Sequence, residues 1–340
     1  MTVANSLRES VTDFSAMIGA DSMLVQGAGG NVSWKDDDTL WVKASGTWLA
    51  NAKDKDIFVP VDLHGLQKEI KAGNFAAVPK VRGESKLRPS IETLLHALMP
   101  HRVVVHVHAI EALAYLVREN AVNEINEKLG TNNHLAIVNY QKPGEALARA
   151  VGDILALSPD VQILLLKNHG VVIGGNDITE IETQLNWLLS KLNTNYIPNV
   201  NGVILQEPIC VGSENEYLPL DIPGIHNLAI LKDLFIRVKN DWALYPDHLV
   251  FLGHRAYCYD SIQALQKDLS SSATPELVFV KNLGVFTKSV FSIAKQAQLR
   301  CYLDVIVRQP KKEPLQVLSE KEIAELLEWD AERYRQQMLQ

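Results

Sequence analysis

The stretch Val103-Val104-Val105-His106-Val107-His108 sets the fold expected for this chain. It is β-branched apart from its two histidines and lies between Pro100 and a helical pattern that starts at Ala109, which predicts an interior β-strand. Because side chains two positions apart on a strand share a face, His106 and His108 should lie side by side. Two such imidazoles can hold one metal ion, although an isolated pair also arises by chance.

Strand and helix patterns on both sides of this run predict a mixed α/β domain. An amphipathic helix over residues 5–20 precedes the glycine cluster Gly27-Ala28-Gly29-Gly30-Asn31. Strands are expected at 39–43, 57–61, 134–140 and 161–166, and helices at 62–72, 91–98, 144–157 and 177–193. The Asn- and Pro-containing stretch 193–208 predicts a boundary, which gives a first domain over residues 1–205.

Residues 206–340 are expected to form a smaller α/β unit. Its helix patterns cover 226–239, 260–269, 289–300 and 319–338, and its strand patterns cover 248–252 and 277–286. Leu166-Lys167-Asn168-His169-Gly170-Val171 is echoed here by Val280-Lys281-Asn282-Leu283-Gly284-Val285. Both segments follow an apolar strand and precede a helix, so the second unit is either a degenerate partial copy of the first or matches it by chance.

Composition narrows the classes of partner. The chain has 340 residues, 40 acidic against 33 basic, and a formal charge of −7, which argues against nucleic acid and favours a small molecule. Its three cysteines form no CxxC pair, which fits a reducing cytoplasm. Arg8, Glu9 and Asp13 exclude a secretory leader, and no apolar run reaches the roughly 18 residues of a membrane span. We therefore expect an unprocessed cytoplasmic protein without a membrane partner.

Other residues extend the chemistry of the two histidines. His169 follows a strand in a tight His-Gly turn and could supply a third nitrogen, leaving a tetrahedral zinc ion one open position, as in catalytic sites. Glu92 lies in the first turn of a helix opened by Pro89-Ser90, where the helix dipole favours a carboxylate. The glycine cluster follows a helix and is GxGG, so it is not a dinucleotide-binding fingerprint, but its amides could bind an anion.

Five motifs, in this order and spacing, resemble the class II aldolase/adducin family: Gly30-Asn31-Val32-Ser33, Ala44-Ser45-Gly46, Pro89-Ser90-Ile91-Glu92, His106-Val107-His108 and Asn168-His169-Gly170. The resemblance covers about residues 5–195. It implies an α/β/α fold around a mostly antiparallel sheet. It also implies a Zn²⁺ ion, or another divalent transition metal, held by His106, His108 and His169, with Glu92 as the acid/base.

The resemblance further places a phosphate-binding pocket on Gly30, Asn31, Ser45, Gly46 and Ser90. This chain has Ile91 where sugar-phosphate aldolases have a second serine and Ala28 where they have a hydroxyl residue, which leaves open whether the substrate is phosphorylated. The tyrosine that some fuculose-phosphate aldolases use as a proton donor finds no counterpart near Glu127. Tyr140 or Tyr115 could replace it, or each could be a packed aromatic residue.

By resemblance, the expected reaction is carbon–carbon bond cleavage of a ketose or ketose 1-phosphate, with the metal stabilising an enediolate and Glu92 moving the proton. Such a role requires either a raised pKa for Glu92 or a substrate carbon acidified by the metal. The alternatives are a dehydratase of the methylthioribulose-1-phosphate type, another lyase or epimerase of the family, and an adducin-like scaffold without catalysis. A scaffold does not need three metal histidines and a glutamate, which favours an enzyme.

Two segments resemble the aldolase part of fusions that join rhamnulose-1-phosphate aldolase to an alcohol dehydrogenase. They are Asn139-Tyr140-Gln141-Lys142-Pro143-Gly144 and the tail from Leu318 to Trp329. The dinucleotide-binding domain of those fusions has no counterpart before Gln340, so no dehydrogenase activity is expected. The family commonly forms rings, which implies a homo-oligomer.

Overall fold

A computed structural model describes residues 3–130, 132–196, 207–211, 215–269, 275–288 and 291–330. Much of the expected boundary at 193–208 lies outside these residues, so the division of the chain at residue 205 stays a prediction. No helix within the described ranges is long and apolar enough to cross a membrane.

A seven-stranded sheet forms the centre of the first part of the chain. Its strands run in the order β3-β2-β1-β4-β7-β6-β5, and each neighbouring pair is antiparallel except β5 and β6, which are parallel. The strands are β1 (Asn31–Asp36), β2 (Thr39–Lys43), β3 (Phe58–Asp62), β4 (Val103–Val107), β5 (Leu135–Val138), β6 (Ile163–Leu166) and β7 (Gly170–Gly175). The expected, mostly antiparallel sheet is confirmed.

Strand β4 lies at the middle of this sheet, between β1 and β7, and all five of its residues are buried. The interior strand predicted from the β-branched run is therefore confirmed. It ends at Val107, so His108 lies just beyond the strand and not within it. His106 is paired across the sheet with Asn31 on β1 and Val172 on β7.

Helices cover both faces of the sheet. On one face, α2 (Leu63–Lys71), α3 (Thr93–Leu98) and α6 (Glu145–Leu157) pack over side chains such as Val104 and Leu164. On the other face, a larger cluster joins Val103, Val105 and Val107 to further helices. These are α1 (Val3–Ala20), α4 (Ile110–Leu116), α5 (Ala121–Leu129) and α7 (Ile178–Lys191). Because successive strand residues face opposite sides, one apolar strand supplies both layers, and the α/β/α fold is confirmed.

The C-terminal unit has a smaller sheet of its own, with the strand order β10-β11-β12-β9-β8. Its strands are β8 (Ile209–Val211), β9 (Asn215–Pro219), β10 (Cys258–Tyr259), β11 (Leu277–Val280) and β12 (Gly284–Thr287). Its helices are α8 (Asn227–Ile230), α9 (Lys232–Asn240), α10 (Pro246–Leu252), α11 (Ile262–Leu269), α12 (Ile293–Ile306) and α13 (Glu320–Leu327). The expected smaller α/β unit is confirmed.

Two expectations for the C-terminal unit differ from the structure. The predicted strand at 248–252 is wrong, because these residues belong to α10. Pro246 opens that helix, and residues 246–251 are all buried, so no polar face reveals the helical period. The predicted helix at 319–338 ends as α13 at Leu327, and its positions beyond 330 lie outside the described residues.

The two similar sequence segments form similar hairpin turns. Asn168 between β6 and β7 has φ 53°, and Asn282 between β11 and β12 has φ 61°. Asparagine adopts this left-handed conformation more readily than most residues. Each turn therefore joins two strands, whereas the sequence patterns indicated a strand followed directly by a helix. Whether the second hairpin is a copy of the first stays a prediction.

The C-terminal unit shares a hydrophobic core with the first part of the chain. One continuous cluster contains Val107 and Leu113 together with Leu249 and Tyr302. Polar contacts reinforce it, since Arg308 Nε donates to Glu111 Oε1 at 2.9 Å. This packing places α10 and α12 beside the loop that contains the glycine cluster and precedes β1, called the glycine loop below.

Candidate active site

Three histidines lie together where β4 and the β6–β7 turn meet. The centroid of the His106 ring is 4.9 Å from each of the other two, and the centroids of His108 and His169 are 5.5 Å apart. One ligand nitrogen from each histidine lies within 4.8 Å of the others, and all three residues are buried. The structure thus brings together the three residues that the sequence predicts as metal ligands.

The backbone around these rings explains the His-Gly turn. A Cβ at Gly170 would lie 2.5 Å from the carbonyl oxygen of Val107, 3.1 Å from Cδ2 of His108 and 3.3 Å from Cε1 of His106. A larger residue at Gly170 would therefore collide with the backbone of β4 and crowd both rings. His106 is also fixed at its outer nitrogen, because Nδ1 lies 3.0 Å from the carbonyl oxygen of Val171.

Glu92 faces two of the histidines. Its Oε2 lies 3.5 Å from Nε2 of His106, and its Oε1 lies 3.5 Å from Nε2 of His169. The residue is the N-cap of α3, one position before the helix in which it was expected. It is 7% exposed, and Oε1 has no hydrogen-bond partner among the residues the structure describes. A buried carboxylate oxygen without a partner is costly unless a cation or proton is nearby.

The surroundings of His169 lower its pKa and so favour its neutral imidazole. Burial lowers the pKa of His169 to about 3; the carboxylate of Glu92 opposes this shift, whereas His106 and His108 add to it. Burial also holds the pKa of His96 well below its usual value; this histidine accordingly packs in α3, with its Nδ1 2.7 Å from the hydroxyl of Ser33. A neutral ring offers a lone pair to a metal ion.

These donors fit a divalent transition metal. Nε2 of His106 lies 3.1 Å from Nε2 of His108, and Nε2 of His169 faces the same carboxylate as Nε2 of His106. Three converging imidazoles suit zinc, copper, iron or nickel, and they leave a coordination position open. The orphaned carboxylate oxygen of Glu92 supports the same assignment, since a cation at this place would offset its charge.

A cavity beside the histidines collects most of the predicted anion-binding residues. Gly30, Ser45, Gly46 and Ser90 line it, together with Glu92, His108 and His169. Ala28 and Ile91 also line it at the two positions where a hydroxyl residue was expected from the resemblance. Asn31 differs: its side chain is fully buried beside His106 in the sheet, and within the described part of the chain neither of its amide atoms has a hydrogen-bond partner.

Comparison with known proteins identifies the family. The family model for the Class II Aldolase and Adducin N-terminal domain matches residues 10–188. The chain belongs to this family. The aldolases of this family are lyases that use a divalent metal ion.

Several relatives of this family are similar to the chain. The uncharacterized oxidoreductase YuxG of Bacillus subtilis is 29% identical over 255 residues, or 69% of this chain, which spans 36% of the length of YuxG. Methylthioribulose-1-phosphate dehydratase of Klebsiella pneumoniae is 31% identical over 174 residues, covering 47% of this chain and 80% of that enzyme. L-fuculose phosphate aldolase of Methanococcus vannielii is 29% identical over 178 residues, which cover 51% of this chain and 88% of that enzyme.

Among solved structures, the N-terminal class II aldolase domain of a conserved protein from Thermoplasma acidophilum matches 56% of this chain and 94% of that domain. The sequence identity is 25% and the TM-score 0.48.

Lys43 is a cavity residue that the sequence analysis of this aldolase-family chain missed. It lines the cavity although only 2% of it is exposed, and its Nζ donates to the carbonyl oxygens of Ala28 at 2.9 Å and Thr47 at 2.7 Å. It lies two positions before Ser45, at the end of β2. Because side chains two positions apart in extended chain share a face, the prediction of Ser45 as a cavity residue could also have indicated Lys43.

Asp247 is a second residue that was missed, and it comes from the C-terminal unit. With Pro246 it lines the same cavity, and its Oδ2 lies 3.6 Å from Nδ1 of His108. No tyrosine is among the described residues that line the cavity. Tyr115 instead packs beneath the guanidinium of Arg118 at 4.3 Å.

Proposed function

We propose that this member of the class II aldolase and adducin family is a zinc-dependent aldolase that cleaves a ketose 1-phosphate. The observation that carries the proposal is the buried carboxylate of Glu92, 3.5 Å from the nitrogens of both His106 and His169. A carboxylate in this position would serve as an acid/base group beside the three proposed metal ligands, at the edge of the cavity. The L-fuculose phosphate aldolases that are similar to the chain support the assignment.

His106, His108 and His169 would hold the metal ion. When bound, zinc supplies Lewis acidity that stabilises negative charge developing on substrate oxygens. The three rings keep a fixed arrangement because they are buried and because Gly170 leaves them room. A rigid ligand set of this kind keeps a substrate oriented without reorganisation during the reaction.

In the cleavage direction, the C3–C4 bond would break as the C4 hydroxyl loses its proton, and Glu92 would deliver a proton to C3. In the reverse condensation, and in exchange on dihydroxyacetone phosphate, Glu92 would take that proton from carbon. Its carboxylate is buried, and Oε1 has no competing hydrogen bond among the described residues, so a substrate proton meets an available acceptor. The short backbone link from Ser90 to Glu92, in which the Glu92 amide donates to Ser90 Oγ at 3.2 Å, holds this acceptor beside the cavity.

The phosphate group would bind at the opposite part of the cavity. Lys43 contributes a positive charge there, and Ser45 and Ser90 contribute hydroxyl groups. The backbone of Gly30 and Gly46 approaches the cavity without side chains in the way; both have positive φ, 66° and 78°. The charge of Lys43 would thus stabilise a bound phosphate in place of the hydroxyl groups that Ala28 and Ile91 lack.

The proposal is tested by following hydrogen exchange at the hydroxymethyl carbon of dihydroxyacetone phosphate in D2O by NMR. The expected result is exchange with zinc-loaded protein and none after treatment with EDTA. Glu92→Gln should abolish exchange while leaving bound zinc unchanged, because the amide keeps the size of the side chain but cannot accept the proton. Protein that holds one zinc per chain and catalyses no exchange would contradict a dihydroxyacetone-phosphate aldolase.

A dehydratase of the methylthioribulose-1-phosphate type is the second candidate, favoured by the 31% identity to such an enzyme over 174 residues. It would use the same histidines and Glu92 but expel water from the substrate. Loss of water from methylthioribulose 1-phosphate, in the absence of exchange on dihydroxyacetone phosphate, would favour it. Protein that binds no zinc would instead favour a scaffold without catalysis. A homo-oligomer and a cytoplasmic location stay predictions.

A further inference from the structure

The C-terminal unit reaches the candidate metal centre through Asp247. We propose that Asp247 is a positioning residue: its carboxylate holds the Nδ1 side of His108, so that Nε2 of that ring is presented to the metal ion. The inference rests on the metal centre proposed above. It gives the C-terminal unit a role in the active site, although that unit lies outside residues 10–188 that match the family.

The orientation of His108 supports this role. Its Nε2 lies 3.1 Å from Nε2 of His106, which is the side where the three ligand nitrogens converge. Its Nδ1 therefore points away from the centre, and Oδ2 of Asp247 lies 3.6 Å from it, within ion-pair distance. A histidine that binds a metal through Nε2 carries its proton on Nδ1, and a carboxylate there fixes the ring and raises its basicity as a ligand.

Asp247 is itself held in place by Gln298. Nε2 of Gln298, on α12, lies 3.3 Å from Oδ2 of Asp247 and also 3.3 Å from the carbonyl oxygen of Gln26 in the glycine loop. The side chains of Asp247 and His108 are 5% and 7% exposed. A carboxylate that is buried, oriented and hydrogen-bonded acts on its neighbour with little screening by solvent.

The glycine loop leaves room for this contact. A Cβ at Gly29 would lie 2.9 Å from Nδ1 of His108 and 3.0 Å from Oδ2 of Asp247. Only a residue without a side chain allows the loop to pass this close to the pair. The loop before β1 and Asp247 of α10 therefore meet at the outer nitrogen of His108, and Gln298 of α12 contacts both the loop and Asp247.

The three histidines have different partners at their outer nitrogens. His106 faces the neutral carbonyl of Val171, whereas Nδ1 of His169 has no hydrogen-bond partner among the described residues. Only the His108 ring, of the three, faces a carboxylate at Nδ1 in the described structure. Removing that carboxylate should therefore weaken metal binding through His108 without disturbing the other two rings.

The test compares zinc dissociation constants of the full-length protein and its Asp247→Asn variant, measured by competition with a chromogenic chelator. We expect the variant to bind zinc about 10- to 100-fold more weakly, the usual effect of losing such an outer partner. The visible spectrum of the cobalt-substituted protein should shift as well, because the orientation of one ligand changes. Asp247→Glu should restore part of the affinity, since it keeps the charge.

Asp260→Asn is the matched control, because it makes the same change of charge at a side chain that is 68% exposed on the same unit. It should leave the zinc affinity unchanged. Thermal unfolding of each metal-free variant shows whether it folds; if Asp247→Asn does not, Gln298→Leu removes the amide that holds Asp247 and should weaken zinc binding in the same direction. Equal affinity in wild type and a folded variant would overturn the inference and leave the metal centre intact. Failure of the wild type to bind zinc would overturn both.

Discussion

Replacing Gly29 by alanine would insert one methyl group between the glycine loop and the pair formed by His108 and Asp247. The added Cβ would lie 2.9 Å from Nδ1 of His108, 3.0 Å from Oδ2 of Asp247 and 3.0 Å from the carbonyl oxygen of Gln26. Ordinary contacts of a Cβ begin at 3.4 Å, so the methyl is about 0.4 to 0.5 Å too close to all three atoms. The backbone at Gln26 cannot yield easily, because its carbonyl accepts the amide of Gly29 at 3.0 Å.

The side chains must therefore move apart. Overpacking of this kind costs about 1–3 kcal/mol of the free energy of unfolding. Displacing His108 from Asp247 should also weaken zinc binding about tenfold or more, as expected when a ligand loses its outer partner. Stability and metal affinity should fall together, although the substitution removes no ligand and no charge.

Urea denaturation of the metal-free protein measures the first effect, and chelator competition measures the second. Gly27→Ala is the matched control: its Cβ would meet its nearest atom at 3.8 Å, but its φ of 60° disfavours alanine. It should lower the free energy of unfolding by about 1 kcal/mol and leave zinc affinity unchanged. A Gly29→Ala protein with wild-type zinc affinity would refute the claim that loop, aspartate and ligand form one packed contact.

Three further predictions concern other contacts. Burial alone would raise the pKa of Glu111, but its hydrogen bonds to Arg308 and Thr194 lower it. The Glu111 carboxylate therefore stabilises the fold fully above its unfolded pKa of about 4.3, and this stability is lost as the pH falls through the lower folded value. Glu111→Gln should lower the free energy of unfolding, measured by urea denaturation, by about 1.5–3 kcal/mol at pH 7 and by less at pH 3. An equal loss at both pH values would contradict the pairing of Glu111 with Arg308. Asn168→Ala removes hydrogen bonds to the buried carbonyl of Leu244 at 2.8 Å and the partly buried carbonyl of Gln316 at 2.7 Å. It should lower the free energy of unfolding by about 2–4 kcal/mol in the same assay, against about 1 kcal/mol or less for Asn282→Ala at an exposed position; equal losses would count against these bonds. Lys43→Met should raise the KM for a phosphorylated substrate at least about tenfold with a smaller change in kcat, and an unchanged KM would remove Lys43 from the phosphate site.

The sequence predicted most of the structure around the three candidate metal ligands. The β-branched run before His106 specifies a buried strand by composition alone, and the helix opened by Pro89-Ser90 places Glu92 to within one position. These are local signals, in which neighbouring residues carry the information. The same kind of signal was weak for β1, where four of six residues are polar, and for β7, where glycine occupies three of six positions.

The positions of Asp247 and Asn31 depend on tertiary contacts, so local sequence patterns could not predict them. Asp247 lies far along the chain from His108, in a stretch where every residue from Pro246 to Phe251 is buried and no helical period is visible. The full burial of Asn31 was also not evident from the sequence, because it depends on the pairing of β1 with β4 in the folded sheet. Sequence patterns can therefore identify site residues whose surroundings are set by neighbouring residues, but not those whose surroundings come from distant parts of the chain.

The contacts among the loop before β1, α10 and α12 also limit which substitutions this protein can accept. Asp247 lies directly against Gly29 and accepts a hydrogen bond from Gln298, so a substitution at one of these positions should be accepted only when another changes with it. Relatives that carry the C-terminal unit are expected to covary at these three positions, whereas relatives that lack it are released from the constraint at the loop. The residues around the candidate metal centre would then covary partly with α10, a segment more than seventy residues along the chain from the nearest of the three histidines.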